Sequence, residues 1–242
     1  MCGDKQSQLG DARMNGITKR GSKEHLQCSV IDLLKRFGAG HASPGSGSAA
    51  ALLGLLSAKM ILTVCKISLK KDKCISNFDH LKLISEDVKE IEPRLRELFK
   101  KDAKDFDDVI KLKVRRDEES CEGKKSILNK EADDLLETTT EYVFEIAEIS
   151  LKLMKYGITI FKIGWSPIRG DSGVSISSAM SGAMSSMFIL NLNLMNLKKR
   201  QYAVNNLERC KDLQSRVQEL QMEAFSCSAS LSAESSASIK LN

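Results

Sequence analysis

The sequence is poor in the residues that build sheets and tight turns. Aromatic residues make up 5% of its 242 residues, and only three prolines occur. Strands are enriched in aromatic residues, and folds with many short strands need frequent turn residues. This scarcity argues against an all-β fold. The apolar 42% of the chain must instead be packed mainly through Leu, Ile, Val, Ala and Met, which favours long helices.

Patterns typical of metal sites and disulfide frameworks are also missing. The seven cysteines are irregularly spaced, with no CxxC pair, and the three histidines share no motif. An odd number of unpatterned cysteines is typical of reduced, packed thiols. We therefore expect a cytoplasmic protein without a metal site.

The N-terminal residues Met1–Lys23 lack the apolar run of a signal peptide, and we expect residues 1–27 to form a disordered extension. One long segment, Ser172–Leu197, lacks any charge and is long enough to cross a bilayer. Because it contains seven serines and three asparagines, a buried helix of a soluble bundle is the favoured interpretation, with a membrane span as the alternative. The net charge of +5 suits a small anion better than nucleic acid.

Apolar residues recur at helical spacing through the rest of the chain. The pattern predicts an all-α bundle of about six helices forming one domain over residues 28–225, followed by a flexible, Ser-rich tail over 226–242. The predicted helices are Ser29–Phe37, Ser48–Leu69, Asn77–Lys113, Ser126–Tyr156, Ser172–Leu197 and Lys199–Phe225. Between them we expect a Gly-rich loop over 38–47, a charged loop over Arg115–Lys125, and a loop over Ile158–Gly170 after a Gly157 C-cap.

Small residues recur every fourth position on two of these helices. One set is Ala50, Gly54 and Ala58, and the other is Ser175, Ala179 and Ala183. Such faces allow two helix backbones to approach closely. The sequence leaves open whether they pack within one chain or between two chains.

One acidic residue breaks the apolar pattern of the third predicted helix. The stripe steps through Leu95, Phe99, position 102, Phe106 and Val109, and position 102 is Asp. A buried carboxyl acquires a raised pKa, and such groups are candidates for acid–base catalysis. The alternative is that Asp102 lies at the edge of the stripe and pairs with a lysine.

Two further segments could face a ligand. The run from Pro44 through Gly45, Ser46, Gly47 and Ser48 opens an apolar helix, where free N–H groups and the helix dipole favour an anion. Asp171 precedes another helix and is placed to cap it. The alternatives are an ordinary loop and a simple helix cap.

These three features, taken in the order in which they occur along the chain, resemble the formiminotransferase-cyclodeaminase family. The resemblance rests on Pro44-Gly45-Ser46-Gly47-Ser48-Ala49-Ala50, on Asp102-Ala103-Lys104-Asp105-Phe106, and on Asp171-Ser172-Gly173-Val174 followed by Leu192-Asn193-Leu194. It covers about residues 29–223. It implies an all-α, dimer-forming fold and an enzyme of folate one-carbon metabolism, either a formimidoyltetrahydrofolate cyclodeaminase or a methenyltetrahydrofolate cyclohydrolase.

The resemblance also implies roles for particular residues. Asp102 and Asp171 would be catalytic, and Pro44, Gly45, Ser46, Gly47, Ser48, Lys101 and Asn193 would bind the substrate. That substrate would be a tetrahydrofolate derivative, with no tightly bound cofactor, no nucleic acid and no membrane partner. Lys101 has a second interpretation, as part of a solvated helix face with Lys100 and Lys104.

The sequence departs from the family pattern at three places around the expected site. Ser46 replaces the middle glycine of a Gly triplet, Ile189 replaces an asparagine, and the segment over 158–170 lacks a Gly-Asn dipeptide. These departures motivate an alternative function, a non-catalytic family member that binds a ligand or acts as a scaffold dimer.

Overall fold

The computed structural model describes residues 25–240, and these residues form an all-α bundle. Its six α-helices are α1 (Val30–Phe37), α2 (Ser46–Ser68), α3 (Phe78–Glu118), α4 (Glu122–Ile163), α5 (Arg169–Asn196) and α6 (Gln201–Lys240). Short 3-10 turns occupy His25–Gln27, Asp72–Asn77 and Ser166–Ile168. The expected all-α class is confirmed.

Consecutive long helices run antiparallel. Two contacts show this for α2 and α3. Ser48 near the start of α2 meets Asp102, whereas Lys59 further along α2 pairs at 2.5 Å with Glu92, which comes earlier in α3. The core lies between α2, α3, α4 and α5, and α6 covers one side. Its largest fully buried side chains include Phe99, Phe144, Ile61, Leu81, Ile84, Leu95 and Leu98.

The two small-residue faces pack against each other within one chain. A Cβ added at Gly182 of α5 would lie 3.2 Å from the Ala50 carbonyl oxygen and 3.6 Å from the Gly54 nitrogen of α2. Ala50, Ala58, Ala179 and Ala183 are fully buried. The close approach that the sequence predicted is therefore intramolecular.

Gly157 does not end the fourth helix, and this prediction was wrong. Helix α4 continues to Ile163, and Gly157 lies inside it, where α5 crosses most closely. A Cβ there would lie 2.8 Å from Ile176 Cγ1 and 2.9 Å from Ser175 Oγ. The glycine is a helix-crossing residue, and the predicted loop over Ile158–Gly170 shrinks to a short turn.

Other helix ends also differ from the sequence-based expectation. Helix α2 begins two residues early, and the charged loop over Arg115–Lys125 is mostly helical because α3 runs to Glu118 and α4 begins at Glu122. Helix α6 continues through the predicted Ser-rich tail to Lys240. The expected N-terminal extension lies outside the described residues except for His25–Gln27, which form a 3-10 turn.

Candidate functional site

Asp102 lies in the core, as the apolar stripe of α3 predicts. Its side chain is 4% exposed, and Ser48 Oγ of α2 donates a hydrogen bond to Asp102 Oδ2 at 2.7 Å. The neighbouring turn of α3 contributes Leu98 and Phe99, which are also buried. The carboxyl is thus held between an apolar layer and the first turn of α2, and the alternative of a lysine partner at the stripe edge is wrong.

The Asp102 carboxylate acts as a cap for α2. The helix begins at Ser46, and its N-cap residue Gly45 carries no side chain that could accept a hydrogen bond. The backbone N–H of Ser48 and the Ser48 hydroxyl both donate to Asp102 instead. A negative charge at a helix N-terminus is also favoured by the helix dipole.

The glycines of the Pro44–Ser48 segment allow this contact. A Cβ at Gly47 would overlap the Asp102 carboxyl group, and one at Gly45 would lie 2.8 Å from the Ala42 carbonyl oxygen. Pro44 is buried after a cis Ser43–Pro44 bond, while Ser46 is exposed. Gly47 and Ser48 therefore join Asp102 in one cluster, as the family resemblance implied.

Burial raises the pKa of Asp102 above its ordinary value. The hydrogen bonds from Ser48 act in the opposite direction, and the nearby negative charge of Asp105 adds to the increase. The direction of the shift shows that desolvation outweighs the hydrogen bonds. A larger share of this carboxyl is therefore protonated near neutral pH than for an exposed aspartate.

Two residues that sequence reasoning did not select, Asp105 and Tyr142, lie beside this cluster. The hydroxyl of Tyr142 on α4 donates to Asp105 Oδ2 at 2.9 Å, and Lys104 Nζ lies 3.1 Å from Asp105 Oδ1. Burial and the Asp105 carboxylate raise the pKa of Tyr142 to about 12. The sequence does signal Asp105, because it follows Asp102 by one helical turn. It does not signal Tyr142, because the contact of Tyr142 with Asp105 depends on how α4 packs on α3.

Lys101 is bound to its own helix. Its ammonium group pairs with Glu97 at 2.6 Å and lies 5.9 Å from the centre of the Tyr142 ring. Lys104 likewise pairs with Asp105. These contacts fit the solvated-face interpretation, although Lys101 still borders the Asp102 cluster.

Asn193 lies at the same end of the bundle as Asp102. It is buried on the C-terminal half of α5, and its amide Nδ2 donates to Thr140 Oγ1 of α4 at 3.1 Å. Because α5 runs antiparallel to α2, this half of α5 lies beside the start of α2. Asn193 is thus a buried, hydrogen-bonded polar group on the Asp102 side of the bundle.

Asp171 lies at the opposite end of the bundle. Helix α5 begins at Arg169 with Ile168 as its N-cap, so Asp171 is inside the first turn and the predicted capping role is wrong. The preceding turn contacts the end of α2, because the Trp165 N–H donates to Ser68 Oγ at 2.9 Å. Asp171 is about 16 Å along α5 from Gly182, which itself faces the first half of α2. One chain therefore does not bring Asp171 to Asp102.

Trp165 packs at the end of the bundle away from Asp102. The Lys71 ammonium group lies 4.2 Å from the centre of its ring. Trp165 therefore does not fill the space around the Asp102 cluster. Across residues 25–240, no three His, Cys, Asp or Glu side chains come together as a group that could hold a metal ion.

The fold matches a known structure. The crystal structure of formiminotetrahydrofolate cyclodeaminase from Thermotoga maritima superposes with a TM-score of 0.71 at 15% sequence identity, over 84% of this chain and 96% of that one. At this identity the match shows the fold alone. Sequence comparison adds that a family model, formiminotransferase-cyclodeaminase, matches residues 29–212.

The chain belongs to the formiminotransferase-cyclodeaminase family. The matched range contains every candidate site residue named above. A curated relative, methenyltetrahydrofolate cyclohydrolase from Methylorubrum extorquens, is 25% identical over 174 residues, which is 71% of this chain and 81% of the relative. In this chain, two of the three segments that carry the resemblance meet, in the cluster of Gly47, Ser48 and Asp102.

Proposed function

We propose that this protein is an enzyme of folate one-carbon metabolism, acting on a tetrahydrofolate derivative as a cyclodeaminase or a cyclohydrolase. Membership of the formiminotransferase-cyclodeaminase family and the cyclohydrolase relative support this class of reaction. The structural observation that carries the proposal is the buried Asp102 carboxyl with a raised pKa at the start of α2.

Asp102 is proposed as the acid–base group. In the cyclodeaminase reaction, N10 attacks the formimino carbon, the bond from that carbon to the departing nitrogen breaks, and the nitrogen leaves as ammonia after receiving a proton. In the cyclohydrolase reaction, water adds to the methenyl carbon and a ring C–N bond opens. Both need a proton at a departing nitrogen, which a carboxyl with a raised pKa can deliver, typically for about 10²–10⁴-fold in rate.

The remaining residues are proposed to position the substrate. In the Pro44–Ser48 turn, Gly45, Ser46 and Gly47 would offer backbone N–H groups, because Pro44 has none and that of Ser48 donates to Asp102. Asn193 would contact the heterocycle, and Lys101 would attract the glutamate tail. Asp171 is too far from Asp102 in one chain to act on the same molecule. We therefore propose that the protein works as a homodimer, and that Asp171 takes part in the reaction only if a second copy brings it to the site.

We further propose that the protein has no tightly bound cofactor, binds neither nucleic acid nor a membrane, and is located in the cytoplasm. The six described cysteines are all free, which fits a reducing compartment. They are Cys28, Cys65, Cys74, Cys121, Cys210 and Cys227.

The test is direct. The purified full-length protein is mixed with 5-formiminotetrahydrofolate and, separately, with 5,10-methenyltetrahydrofolate, and the methenyl absorbance is followed. We expect turnover of at least one substrate and a loss of about 10²-fold or more in Asp102→Asn. Asp108→Asn, on an exposed part of the same helix, is the matched control and should keep wild-type turnover. Full turnover in a folded Asp102→Asn variant would contradict the assigned role.

The alternative is a non-catalytic family member that binds a ligand or acts as a scaffold dimer. The observation favouring it is that Asp102 is enclosed and already used as a helix cap, while Asp171 lies at the other end of the bundle. Folate binding without turnover of either substrate would support this alternative. If the protein neither binds folate nor turns over either substrate, only the fold assignment remains supported.

A further inference from the structure

Asp105 is a second acidic side chain close to Asp102 on α3. It follows Asp102 by three residues, and side chains at this spacing are neighbours on a helix, with Cβ atoms about 5–6 Å apart. The Asp105 side chain is 17% exposed, compared with 36% for Asp107 and 41% for Asp108. Among the acids in the two turns after Asp102, Asp105 is therefore both the nearest and the least exposed.

Tyr142 holds the Asp105 carboxylate from the neighbouring helix α4. Its hydroxyl donates a hydrogen bond to Asp105 Oδ2 at 2.9 Å, and Lys104 Nζ lies 3.1 Å from Asp105 Oδ1. Lys104 is 76% exposed, and an ion pair made by so exposed a side chain contributes little. The contact that ties Asp105 to the bundle is therefore the one from Tyr142.

Further contacts between α3 and α4 lie beside Tyr142. The Arg94 guanidinium of α3 donates two hydrogen bonds, at 2.5 and 2.6 Å, to the carboxylate of Glu145, which follows Tyr142 by three residues. The Lys101 ammonium group of α3 lies 5.9 Å from the centre of the Tyr142 ring. These contacts fix how α4 lies against α3 at the level of Tyr142.

The other groups around Asp102 are uncharged, paired or exposed. The start of α2 contributes the hydroxyl of Ser48. On α4, Tyr142 is neutral because its pKa is raised to about 12. Lys101 on α3 is paired with a glutamate of its own helix, and His41, in the segment before α2, is exposed.

Asp102 and Asp105 are two neighbouring carboxyl groups, and such a pair ionises less readily than either group alone. The negative charge of Asp105 accordingly raises the pKa of Asp102, in the same direction as burial. We propose that Asp105, held in place by Tyr142, is a positioning residue that keeps the Asp102 carboxyl protonated and ready to donate. Its consequence for turnover rests on the proposed function, whereas its effect on the protonation of Asp102 does not.

The first measurement is the titration of Asp102 itself. The full-length protein is labelled with carbon-13 in its aspartate carboxyl groups, and the resonance missing from Asp102→Asn is that of Asp102. We expect Asp105→Asn to lower the titration midpoint of Asp102 by at least about 0.5 pH unit, which is the effect of a unit charge about 6 Å away even in a water-like medium.

Two further variants separate the charge of Asp105 from its attachment. Tyr142→Phe should move the midpoint of Asp102 in the same direction, because the released Asp105 turns towards Lys104 and water. Asp105→Glu, which keeps the charge, should stay closer to wild type than Asp105→Asn. Asp107→Asn is the matched control, because it removes an equal charge from a more exposed position of α3, where Asp107 pairs with Lys111 at 2.6 Å. It should move the midpoint by less than half as much.

The second measurement is the pH dependence of kcat. If Asp102 donates a proton, kcat falls on the alkaline side as Asp102 loses that proton, and in Asp105→Asn this fall should occur at a lower pH. At a pH where Asp102 is protonated in both proteins, kcat should stay near wild type. A merely structural role of Asp105 would instead lower kcat at every pH and leave the midpoint unchanged.

The outcomes distinguish this proposal from the proposed function. Turnover by the wild type, with both midpoints unmoved in Asp105→Asn, overturns the role of Asp105 and leaves the proposed function standing. No turnover of either folate substrate overturns the proposed function, while a lowered midpoint of Asp102 still supports the control by Asp105. If Asp105→Asn fails to fold, as judged by circular dichroism, Tyr142→Phe decides, and an unmoved midpoint there overturns the proposal.

Discussion

At the scale of single residues, the centre of the candidate site is a conflict between burial and charge at Asp102. The carboxyl is taken out of water, and its hydrogen bonds from Ser48 compensate only in part, so its pKa is raised. The same group stabilises the start of α2. Residue 47 is a glycine because any side chain there would occupy the volume of the Asp102 carboxyl.

This conflict predicts a pH dependence of stability. The folded-state pKa of Asp102 lies above its unfolded value, so the native state binds the proton more tightly than the unfolded state. The resulting stabilisation is fully present below the unfolded pKa and is lost as pH rises through the folded pKa. In Asp102→Asn this loss is absent. The free energy of unfolding of the variant, relative to wild type, should therefore increase with pH.

Urea unfolding of both proteins between about pH 4 and about pH 8 measures this difference. A difference that stays constant or decreases with pH would show that the Asp102 carboxyl is better solvated than its position indicates.

At the scale of helices, the sequence predicted which segments are helical better than where they end. The apolar periodicity located α1, α3, α4 and α6, because burial of one face requires it. A strongly apolar run located α2, and a long run without charge located α5. Gly157 was misread as a helix end, since a glycine after Lys155 and Tyr156 has the composition of a C-cap. A glycine is present at this position because α5 packs closely against it. The periodicity within α4 cannot reveal which helix becomes its neighbour.

The crossing of α4 and α5 predicts the effect of filling that space. Gly157→Ala places a methyl group against Ile176 and Ser175. We expect it to lower the free energy of unfolding by about 1–3 kcal/mol, as measured by urea denaturation. Gly123→Ala, in the first turn of the same helix, is the control, because a Cβ there meets only Cys121 Sγ at 4.0 Å.

The control should be neutral or stabilising by up to about 1 kcal/mol, since alanine has the higher helix propensity. Equal effects of the two substitutions would show that the helices do not approach as closely at Gly157 as described.

At the scale of the whole molecule, two helices within residues 25–240 have the length and composition of membrane spans. They are Ser46–Ser68 and a segment of 31 residues, Ser166–Asn196, with 56% and 50% of the most apolar window buried inside the bundle. Helices α2 and α5 pack on each other through small residues, and each also contacts other core helices. About half of each apolar stretch is thus covered by contacts within the bundle.

We therefore expect the full-length protein to remain in the supernatant when a lysate prepared without detergent is ultracentrifuged. The apolar faces of α2 and α5 are then satisfied by protein contacts. Recovery only in the membrane pellet, with release by detergent, would favour the membrane-associated alternative.

The sequence by itself determined the helical class, the six helical segments and the burial of Asp102, because each depends on local spacing or on a charge in an apolar stripe. Only the tertiary structure decided that Asp102 contacts the start of α2, that the small-residue faces pack within one chain and that Gly157 is a crossing point. It also decided that Tyr142 holds Asp105 and that Asp171 lies far from Asp102. These facts depend on which helices become neighbours and in which direction they run, and contacts between residues distant in sequence are not encoded in the periodicity of any single helix.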